Sequence, residues 1–194
     1  EMAKTVGVDI IFYPDSKEIY PEGYQTYVTV EEVTKNLCGL SRPGHFRGVT
    51  TICAKLFHIV KPHVAVFGKK DYQQYVTIKR MVADLNMDLE IVGLPTIREA
   101  DGLAMSSRNV YLKDNERQSA LTLIASLKRA QKLYDEGERK ASVIIGEAEK
   151  IIKAAPYTEI DYVKICDTQT LQDIEKIEGQ AIIALAVKVA QTRL

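Results

Sequence analysis

The segment 67–74, which reads FGKKDYQQ, contains residue types suited to binding a nucleotide. It lies where an apolar run typical of a strand gives way to a helical pattern, and the free N–H groups at a helix start suit a phosphate. Gly68 would let the backbone approach a ligand, Lys70 would neutralise phosphate oxygens, and Asp71 would accept from ribose hydroxyls. Gln74, one turn further on, would face the same cleft. A capped helix with two solvated lysines also explains these residues, and the segment alone favours that simpler interpretation.

A second segment, 99–109, reads EADGLAMSSRN and contains donors that suit a triphosphate. The hydroxyls of Ser106 and Ser107 can donate to phosphate oxygens, and Arg108 can donate in bidentate fashion. A polar interdomain linker, with one of the serines capping a short helix, is an equally good interpretation. Because these donors have no obvious acceptor nearby in the sequence, we expect few bonds to hold segment 101–109 until a ligand orders it.

The third segment, 41–48, reads SRPGHFRG and combines two arginines, a histidine and two glycines. Arg42, His45 and Arg47 could bind an anion, and the histidine could move a proton. Glycine and proline are typical of surface loops, and that plainer interpretation is favoured here.

Apolar patterns predict alternating strands and helices in the first half of the chain, where these segments lie. Pro62, Gly68 and Pro95 end the clearest of them. The predicted elements are strand 8–13, a β-branched run 26–30, a small helix from 31, loop 38–48, helix 49–60, strand 63–67, a helix from Asp71 to about 85, and strand 89–94. Strand, helix, strand in this order is typical of a parallel sheet, in which ligands bind beyond the carboxyl ends of the strands.

The second half of the chain has a different pattern. Two helices are predicted at 114–134 and 142–154 with a break at Glu136 and Gly137, and two strands follow at 160–166 and 181–189. The fold class is therefore α/β, with a smaller α+β domain after the first sheet. We place the domains at 1–104 and 105–194.

The composition excludes some classes of partner. Lysine plus arginine and aspartate plus glutamate number 26 each, which argues against bulk attraction to nucleic acid or an anionic membrane. No run approaches the ~20 apolar residues that a membrane helix needs. Cys38, Cys53 and Cys166 have no metal-ligand spacing, so no metal site is predicted, and free cysteines fit the reducing cytoplasm.

Four strings taken together resemble the pantoate–β-alanine ligase family. They occupy 19–21 (IYP), 40–49, 67–74 and 98–109, and their order and separations also fit the family. The resemblance implies a Rossmann-like parallel sheet, similar to that of class I aminoacyl-tRNA synthetases and cytidylyltransferases, and a smaller C-terminal domain that closes over the site.

The resemblance also implies which residues act. ATP would be bound by Gly68, Lys69, Lys70, Asp71, Ile97, Met105, Ser106, Ser107 and Arg108. Ile97 would contact adenine through its backbone, and Gln74 would hold pantoate. Lys70, Ser106, Ser107 and Arg108 would be catalytic because they stabilise the charge that develops during transfer.

The reaction implied is an ATP-dependent ligation with Mg²⁺ bridging the phosphates. Pantoate would attack the α-phosphate to give pantoyl-adenylate and pyrophosphate, and β-alanine would then displace AMP. The intact protein is expected to be a cytoplasmic homodimer that binds small molecules. The alternatives are a nucleotidyltransferase and a non-catalytic nucleotide-binding fragment.

One departure from the family concerns its opening segment, which carries a histidine–x–glycine–histidine signature and a second pantoate-binding glutamine. The three histidines of this chain, His45, His58 and His63, do not form that signature. We therefore expect the parallel sheet to be incomplete at its N-terminus and this chain alone to be inactive or weakly active.

Overall fold

The structure, a computed structural model, describes residues 1–194 and contains seven α-helices, five strands and three short 3₁₀ helices. The α-helices and strands are α1 (Met2–Thr5), α2 (Ser16–Ile19), α3 (Cys38–Ser41), α4 (His45–Val60), β1 (Val64–Gly68), α5 (Tyr72–Asp84), β2 (Glu90–Leu94), α6 (Asp114–Asp135), α7 (Ala141–Lys153), β3 (Thr158–Asp167), β4 (Ala181–Val189) and β5 (Thr192–Arg193). The 3₁₀ helices are Glu32–Thr34, Lys69–Asp71 and Ser107–Tyr111.

The first half is built on the predicted strand–helix–strand unit. β1 and β2 pair in parallel, from Val64 opposite Glu90 to Gly68 opposite Leu94, and α5 connects them. Helices α4 and α5 pack together, and the core of this half consists of Ala54, Ile78, Met81 and Val82. The carboxyl ends of both strands therefore meet at one edge, where the segment after Gly68 begins.

One predicted strand is wrong, and the β-branched run 26–30 is not in a strand either. Residues 8–13 are not part of any strand; Ile10 is 85% exposed and Tyr13 is 91% exposed. An apolar run becomes a strand only where a neighbouring strand accepts its hydrogen bonds, and β1 pairs with β2 alone. Segment 26–30 is also outside the sheet. There the side chains of α4 replace a neighbouring strand, because Val28 N–H donates to Thr51 Oγ1 (3.0 Å) and Thr50 Oγ1 donates to Val28 O (2.6 Å).

The predicted loop 38–48 is only partly a loop. It contains α3, and α4 begins at His45, four residues before the predicted start at 49. Gly44 precedes α4 with a φ of 79°, a conformation that glycine adopts without strain. The helix ends at Val60, where Lys61 adopts a left-handed conformation before Pro62.

The second half packs α6 and α7 against an antiparallel sheet of order β3–β4–β5. Both predicted helices and both predicted strands are confirmed, and β5 was not predicted. Its main core comprises Leu103, Ala120, Leu123, Ala148, Ile152, Val163, Val187 and Val189. The α/β class is thus confirmed, and the division at 104 and 105 stays a prediction. None of the helices combines the length and apolar composition needed to cross a bilayer.

The two halves meet through polar contacts around Asn36. Its Nδ2 donates to Asp173 Oδ1 (2.6 Å) and to the carbonyl oxygen of Leu171 (2.9 Å). Nearby, the Tyr72 hydroxyl donates to the carbonyl oxygen of Thr168 at 3.2 Å. These bonds connect the elements around β1 and α5 to the β3–β4 connection. The two halves therefore contact each other beside the start of α5.

Candidate functional site

The three segments singled out in the sequence come together around His45. The half-buried ring has its Nε2 3.3 Å from Nη1 of Arg42. Burial lowers the pKa of His45 most, the charges of Arg42, Arg193 and Arg108 lower it further, and the charge of Asp71 opposes them. Arg42, Asp71 and Arg108 represent all three segments, so charged groups from each lie within electrostatic reach of one imidazole.

The segment after β1 forms a 3₁₀ turn before α5 starts. Lys70 Nζ lies 3.9 Å from Asp71 Oδ1 within that turn. Asp71 occupies the N-cap position of α5, yet its side chain makes no capping hydrogen bond, which weakens the simple capped-helix interpretation. A Cβ built on Gly68 would meet no atom within 4 Å, so a ligand can approach the backbone there.

Gly93 of β2, which was not identified from the sequence, lies close to Lys69. A Cβ added to Gly93 in β2 would lie 2.8 Å from Lys69 Cε and 2.8 Å from the ring of Tyr75. Lys69 Nζ is 6.0 Å from the centroid of that ring. A glycine inside a strand often marks such a close approach, and this was the signal available in the sequence.

Adjacent glutamines at the start of α5 have different environments. Gln73 is buried; its Nε2 donates to the carbonyl oxygens of Val33 (2.9 Å) and Asn36 (2.8 Å), and its Oε1 accepts from Cys38 N–H (3.0 Å). Gln74 is half-buried, and its side chain has no hydrogen-bond partner in the protein. Its amide is therefore free for a ligand, and its role toward pantoate stays a prediction.

Residues 97–105 form a hairpin between β2 and α6. Met105 N–H donates to Ile97 O (2.9 Å), Glu99 N–H donates to Leu103 O (2.8 Å), and Gly102 has the positive φ of 94° that its turn requires. The Ile97 N–H has no acceptor within the protein. Ile97 and Met105 thus lie side by side at the open end of the hairpin, where the predicted adenine contact would be made.

A buried asparagine attaches this hairpin to the following turn. Asn109 Nδ2 donates to Glu99 Oε1 (2.5 Å) and Ala104 O (3.0 Å), whereas its Oδ1 is buried without a partner. Arg117 of α6 bridges Glu99 Oε2 (2.6 Å) and Asp101 Oδ2 (2.7 Å). The hydrogen bonds from Asn109 and Arg117 lower the pKa of Glu99. The expectation that few bonds hold segment 101–109 is therefore wrong for its first part.

The donors after the hairpin are partly engaged with the protein. Ser106 Oγ accepts from Arg108 N–H at 3.2 Å and so caps the 3₁₀ helix Ser107–Tyr111, as the linker interpretation allowed. Arg108 Nη1 donates to the carbonyl oxygen of Arg193 at 3.2 Å. Ser107 is exposed and its hydroxyl has no protein partner. The hydroxyl of Ser107 and most of the Arg108 fork remain available to a ligand.

Asp161 of β3 connects this region to the 41–48 segment, and the sequence analysis did not identify it. Ser41 Oγ donates to Asp161 Oδ1 at 2.8 Å. Arg193 donates to Asp161 Oδ2 from Nε (3.0 Å) and from Nη2 (2.6 Å). β3 contains four charged residues (Glu159, Asp161, Lys164 and Asp167), so nothing in its sequence singles out Asp161.

Arg47 does not join the cluster around His45. Its guanidinium lies over the ring of Tyr27, 4.7 Å from the centroid. Arg47 and Arg42 both line a separate cavity of about 410 Å³. The other lining residues are Thr29, Val30, Thr34, Gly39, Gly44 and Phe46.

Cys53 and Cys166 are not among the groups that act on the pKa of His45. No group of three or more His, Cys, Asp or Glu side chains is arranged to hold a metal ion. All three cysteines are free, and burial raises the pKa of Cys53 to about 11 and that of Cys166 to about 12. Neither thiol is therefore ionised near neutral pH.

Comparisons with known proteins give one consistent result. The family model described as pantoate-beta-alanine ligase matches residues 1–194. Pantothenate synthetase from Syntrophus aciditrophicus is 65% identical over the whole chain, which spans 68% of that protein's length. The crystal structure of pantothenate synthetase from Thermus thermophilus matches with a TM-score of 0.95 at 40% identity, covering all of this chain and 70% of that one.

A third relative was solved with ligands. The pantoate-beta-alanine ligase of Francisella tularensis, complexed with beta-gamma ATP and β-alanine, matches the whole chain with a TM-score of 0.77 at 29% identity, over 65% of its own length. The nucleotidyltransferase-like Rossmann fold expected from the sequence is thereby confirmed. The chain belongs to the pantoate–β-alanine ligase family of enzymes.

Proposed function

We propose that this chain binds ATP and takes part in the ATP-dependent condensation of pantoate with β-alanine. The pantoate carboxylate attacks the α-phosphate, so that pantoyl-adenylate forms and pyrophosphate leaves. The β-alanine amine then attacks the acyl carbon and AMP leaves. Negative charge develops on phosphate oxygens during the first step, and fixed cations and N–H donors aimed at those oxygens supply much of the catalysis.

The observation that carries this proposal is the convergence on His45. Arg42, Asp71 and Arg108 come from three segments that are far apart in the sequence, and all three act on one imidazole. A surface loop, a capped helix and a linker with unrelated roles have no reason to present their charged groups to the same point. A shared nucleotide would explain this, because its phosphates suit the arginines and its ribose hydroxyls suit Asp71.

The proposed roles are those that the family resemblance implies, and the positions of the side chains are consistent with them. Lys70 and Arg108 bind phosphate oxygens, and Ser106 and Ser107 donate to the same group. Gly68, Lys69 and Asp71 hold the ribose and phosphates beyond the carboxyl end of β1. The free N–H of Ile97 suits a ring nitrogen of adenine, Met105 lies beside it, and Gln74 holds pantoate through its free amide.

Magnesium is proposed to arrive with ATP. Mg²⁺ typically keeps several waters and binds through substrate phosphates and one or two carboxylates rather than a protein cage. The ion would neutralise charge on the phosphate oxygens that Lys70 and Arg108 also face.

Three further predictions belong with this function. Residues 1–104 are proposed as the nucleotide-binding domain and 105–194 as a lid. The protein is proposed to be a cytoplasmic homodimer, and sedimentation velocity would measure its association.

Residues 1–194 do not contain the family's histidine–x–glycine–histidine signature, so we expect the purified chain to bind ATP but to form pantothenate slowly.

Calorimetric titration and a product assay test the proposal together. ATP with Mg²⁺ is titrated first, and AMP release is then measured with pantoate and β-alanine supplied together and singly. AMP release that requires both substrates supports the ligase, whereas adenylyl groups retained in the product would indicate a nucleotidyltransferase. Absence of ATP binding would refute the proposed site, and fast pantothenate formation by this chain would contradict the expected slow turnover.

A further inference from the structure

We propose that Asp161 is a positioning residue for the phosphate-binding arginine, Arg108, and that it acts through Arg193. The inference rests on the proposed function, because it assumes that Arg108 binds the phosphates of ATP. It adds a chain of contacts that joins Ser41, in the first half of the molecule, to Arg108 in the second. The orientation of the Arg108 guanidinium would then depend on the contact between the two halves.

A β-bulge aims Asp161 at its partners. Ile160 pairs with Val187 and Tyr162 pairs with Ala186, so Asp161 is the extra residue that has no partner on β4. A bulged residue is turned out of the regular alternation of side chains, and bulges often occur next to active sites. Without the bulge, the period of two would dictate which face Asp161 occupies.

Each carboxylate oxygen of Asp161 has its own role. Oδ1 accepts from the Ser41 hydroxyl at 2.8 Å. Oδ2 accepts from both Nε and Nη2 of Arg193, at 3.0 and 2.6 Å. Two N–H groups on one edge of the guanidinium thus converge on a single oxygen, which sets the distance and direction of that edge without the two parallel bonds of a fork–fork pair. The Asp161 carboxylate therefore binds Ser41, in the first half, and Arg193, in β5, at the same time.

Arg193 passes this constraint to Arg108 through its backbone. β5 has two residues, and its pairing with β4 rests on Lys188 opposite Arg193 and Val189 opposite Thr192. The carbonyl oxygen of Arg193 accepts from Arg108 Nη1 at 3.2 Å. Leu194, the next residue, also exchanges two main-chain hydrogen bonds with Val187 of β4, at 2.9 and 3.1 Å. The Asp161 contact is therefore an additional anchor, and its loss would loosen the carbonyl that aligns Arg108.

The contact with Arg193 positions Arg108 and leaves most of its N–H donors free. An arginine has five N–H donors in a planar fork, and Arg108 gives one of them to Arg193 while its side chain has no other partner in the protein. The rest of the fork can donate to phosphate oxygens. Pre-alignment lowers the ordering cost that binding would otherwise carry.

The substitution Asp161→Asn separates positioning from simple electrostatics. Removing a negative charge near a polyanionic ligand should strengthen ATP binding if Asp161 acts only by its charge. Positioning predicts the opposite, a rise in the Kd for ATP of about threefold to tenfold, which is part of the roughly tenfold to hundredfold rise expected for Arg108→Ala. Ser41→Ala changes no charge and should raise the Kd by about twofold to fivefold.

A double-mutant cycle identifies the route. If Asp161 acts through Arg108, then Asp161→Asn should change the ATP affinity little once Arg108→Ala is present. Asp88→Asn is the matched control, because Asp88 is exposed and its side chain makes no hydrogen bond. Arginine side-chain NMR of the free protein gives a second measurement. Asp161→Asn should loosen the guanidinium groups of both Arg193 and Arg108.

The outcomes distinguish this inference from the proposed function. If Arg108→Ala leaves the ATP affinity unchanged, the proposed phosphate role fails. If Arg108→Ala weakens binding while Asp161→Asn strengthens it or leaves it unchanged, the phosphate role stands and the positioning role of Asp161 is refuted. An unperturbed Arg108 guanidinium in the Asp161→Asn protein refutes it as well.

Discussion

The two adjacent glutamines at the start of α5 allow a sharp test of which one is structural. Gln73→Leu keeps a similar volume and removes three hydrogen bonds, to Val33 O, Asn36 O and Cys38 N–H. Asn36 O retains a second donor, Gly39 N–H, at 3.0 Å. Val33 O and Cys38 N–H have no other partner. Two main-chain groups in the segment that leads into α3 would thus be left unpaired.

The expected cost follows from those two groups. A buried main-chain group left unpaired costs about 1–3 kcal/mol, and the apolar surface of leucine offsets part of that. We therefore expect Gln73→Leu to lower the free energy of unfolding by about 2–3 kcal/mol, which corresponds to a fall in Tm of roughly 5–10 °C for a domain of this size. Gln74→Leu should change the free energy of unfolding by less than about 0.5 kcal/mol.

Urea unfolding of both variants, followed by intrinsic tyrosine fluorescence and far-UV circular dichroism, measures the difference. The two probes should give coincident transitions, and the slope should match that of the unmodified protein if only stability has changed. A decrease in the free energy of unfolding below about 1 kcal/mol for Gln73→Leu, or an equal decrease for Gln74→Leu, would refute the proposal that Gln73 stabilises the segment leading into α3. Gln74→Leu should instead weaken the binding of pantoate.

Three other perturbations test the site. Lys70→Ala should slow adenylate formation by about tenfold to a hundredfold without changing stability, whereas the exposed Lys128→Ala should not; a wild-type rate at saturating ATP would contradict the phosphate role. NMR should show that the pKa of His45 lies below the usual value of about 6.5 and rises when tripolyphosphate binds, and a fixed pKa would count against an anion site. Because the fold lowers that pKa, His45 should destabilise the protein as the pH falls below about 6.5, and His45→Gln should remove this part of the pH dependence. ATP with Mg²⁺ should slow hydrogen exchange after Ser106 and at the Ile97 N–H, but hardly at the N–H groups of Glu99 and Met105, which are already bonded; unchanged exchange throughout would make the segment a linker.

The sequence predicted the elements that have clear ends and local partners. β1, α5 and β2 follow from apolar runs bounded by Pro62, Gly68 and Pro95, and α6 and α7 follow from long helical patterns. Residues 8–13 carry an equally apolar pattern but form no strand. Periodicity reports which face of a segment is apolar, whereas strand formation depends on a partner that can lie anywhere in the chain, and no pattern within the segment contains that information.

In the candidate site too, the residue types could be predicted from the sequence, whereas the contacts between distant residues could not. The donors of Ser107 and Arg108 could be predicted because hydroxyls beside a guanidinium suit phosphate. The connection of Arg108 to Asp161 through Arg193 could not be predicted, since it depends on a bulge and on a strand of two residues. The difference between Gln73 and Gln74 was also hidden, because a rotation of one residue along α5 decides which side chain is buried.

The zero net charge of the chain conceals how its charges are distributed. Away from the site, cations are matched locally, as Arg129 is with Glu147 and Arg117 is with Glu99. Around His45, Arg193 is likewise matched by Asp161, but Arg42 and Arg108 have no carboxylate partner in the protein. A neutral total therefore argues against large polyanions, which need an extended basic surface, and leaves room for a small one. A triphosphate needs only a few cations on converging elements, and the fold brings these two together from the separate segments 41–48 and 99–109.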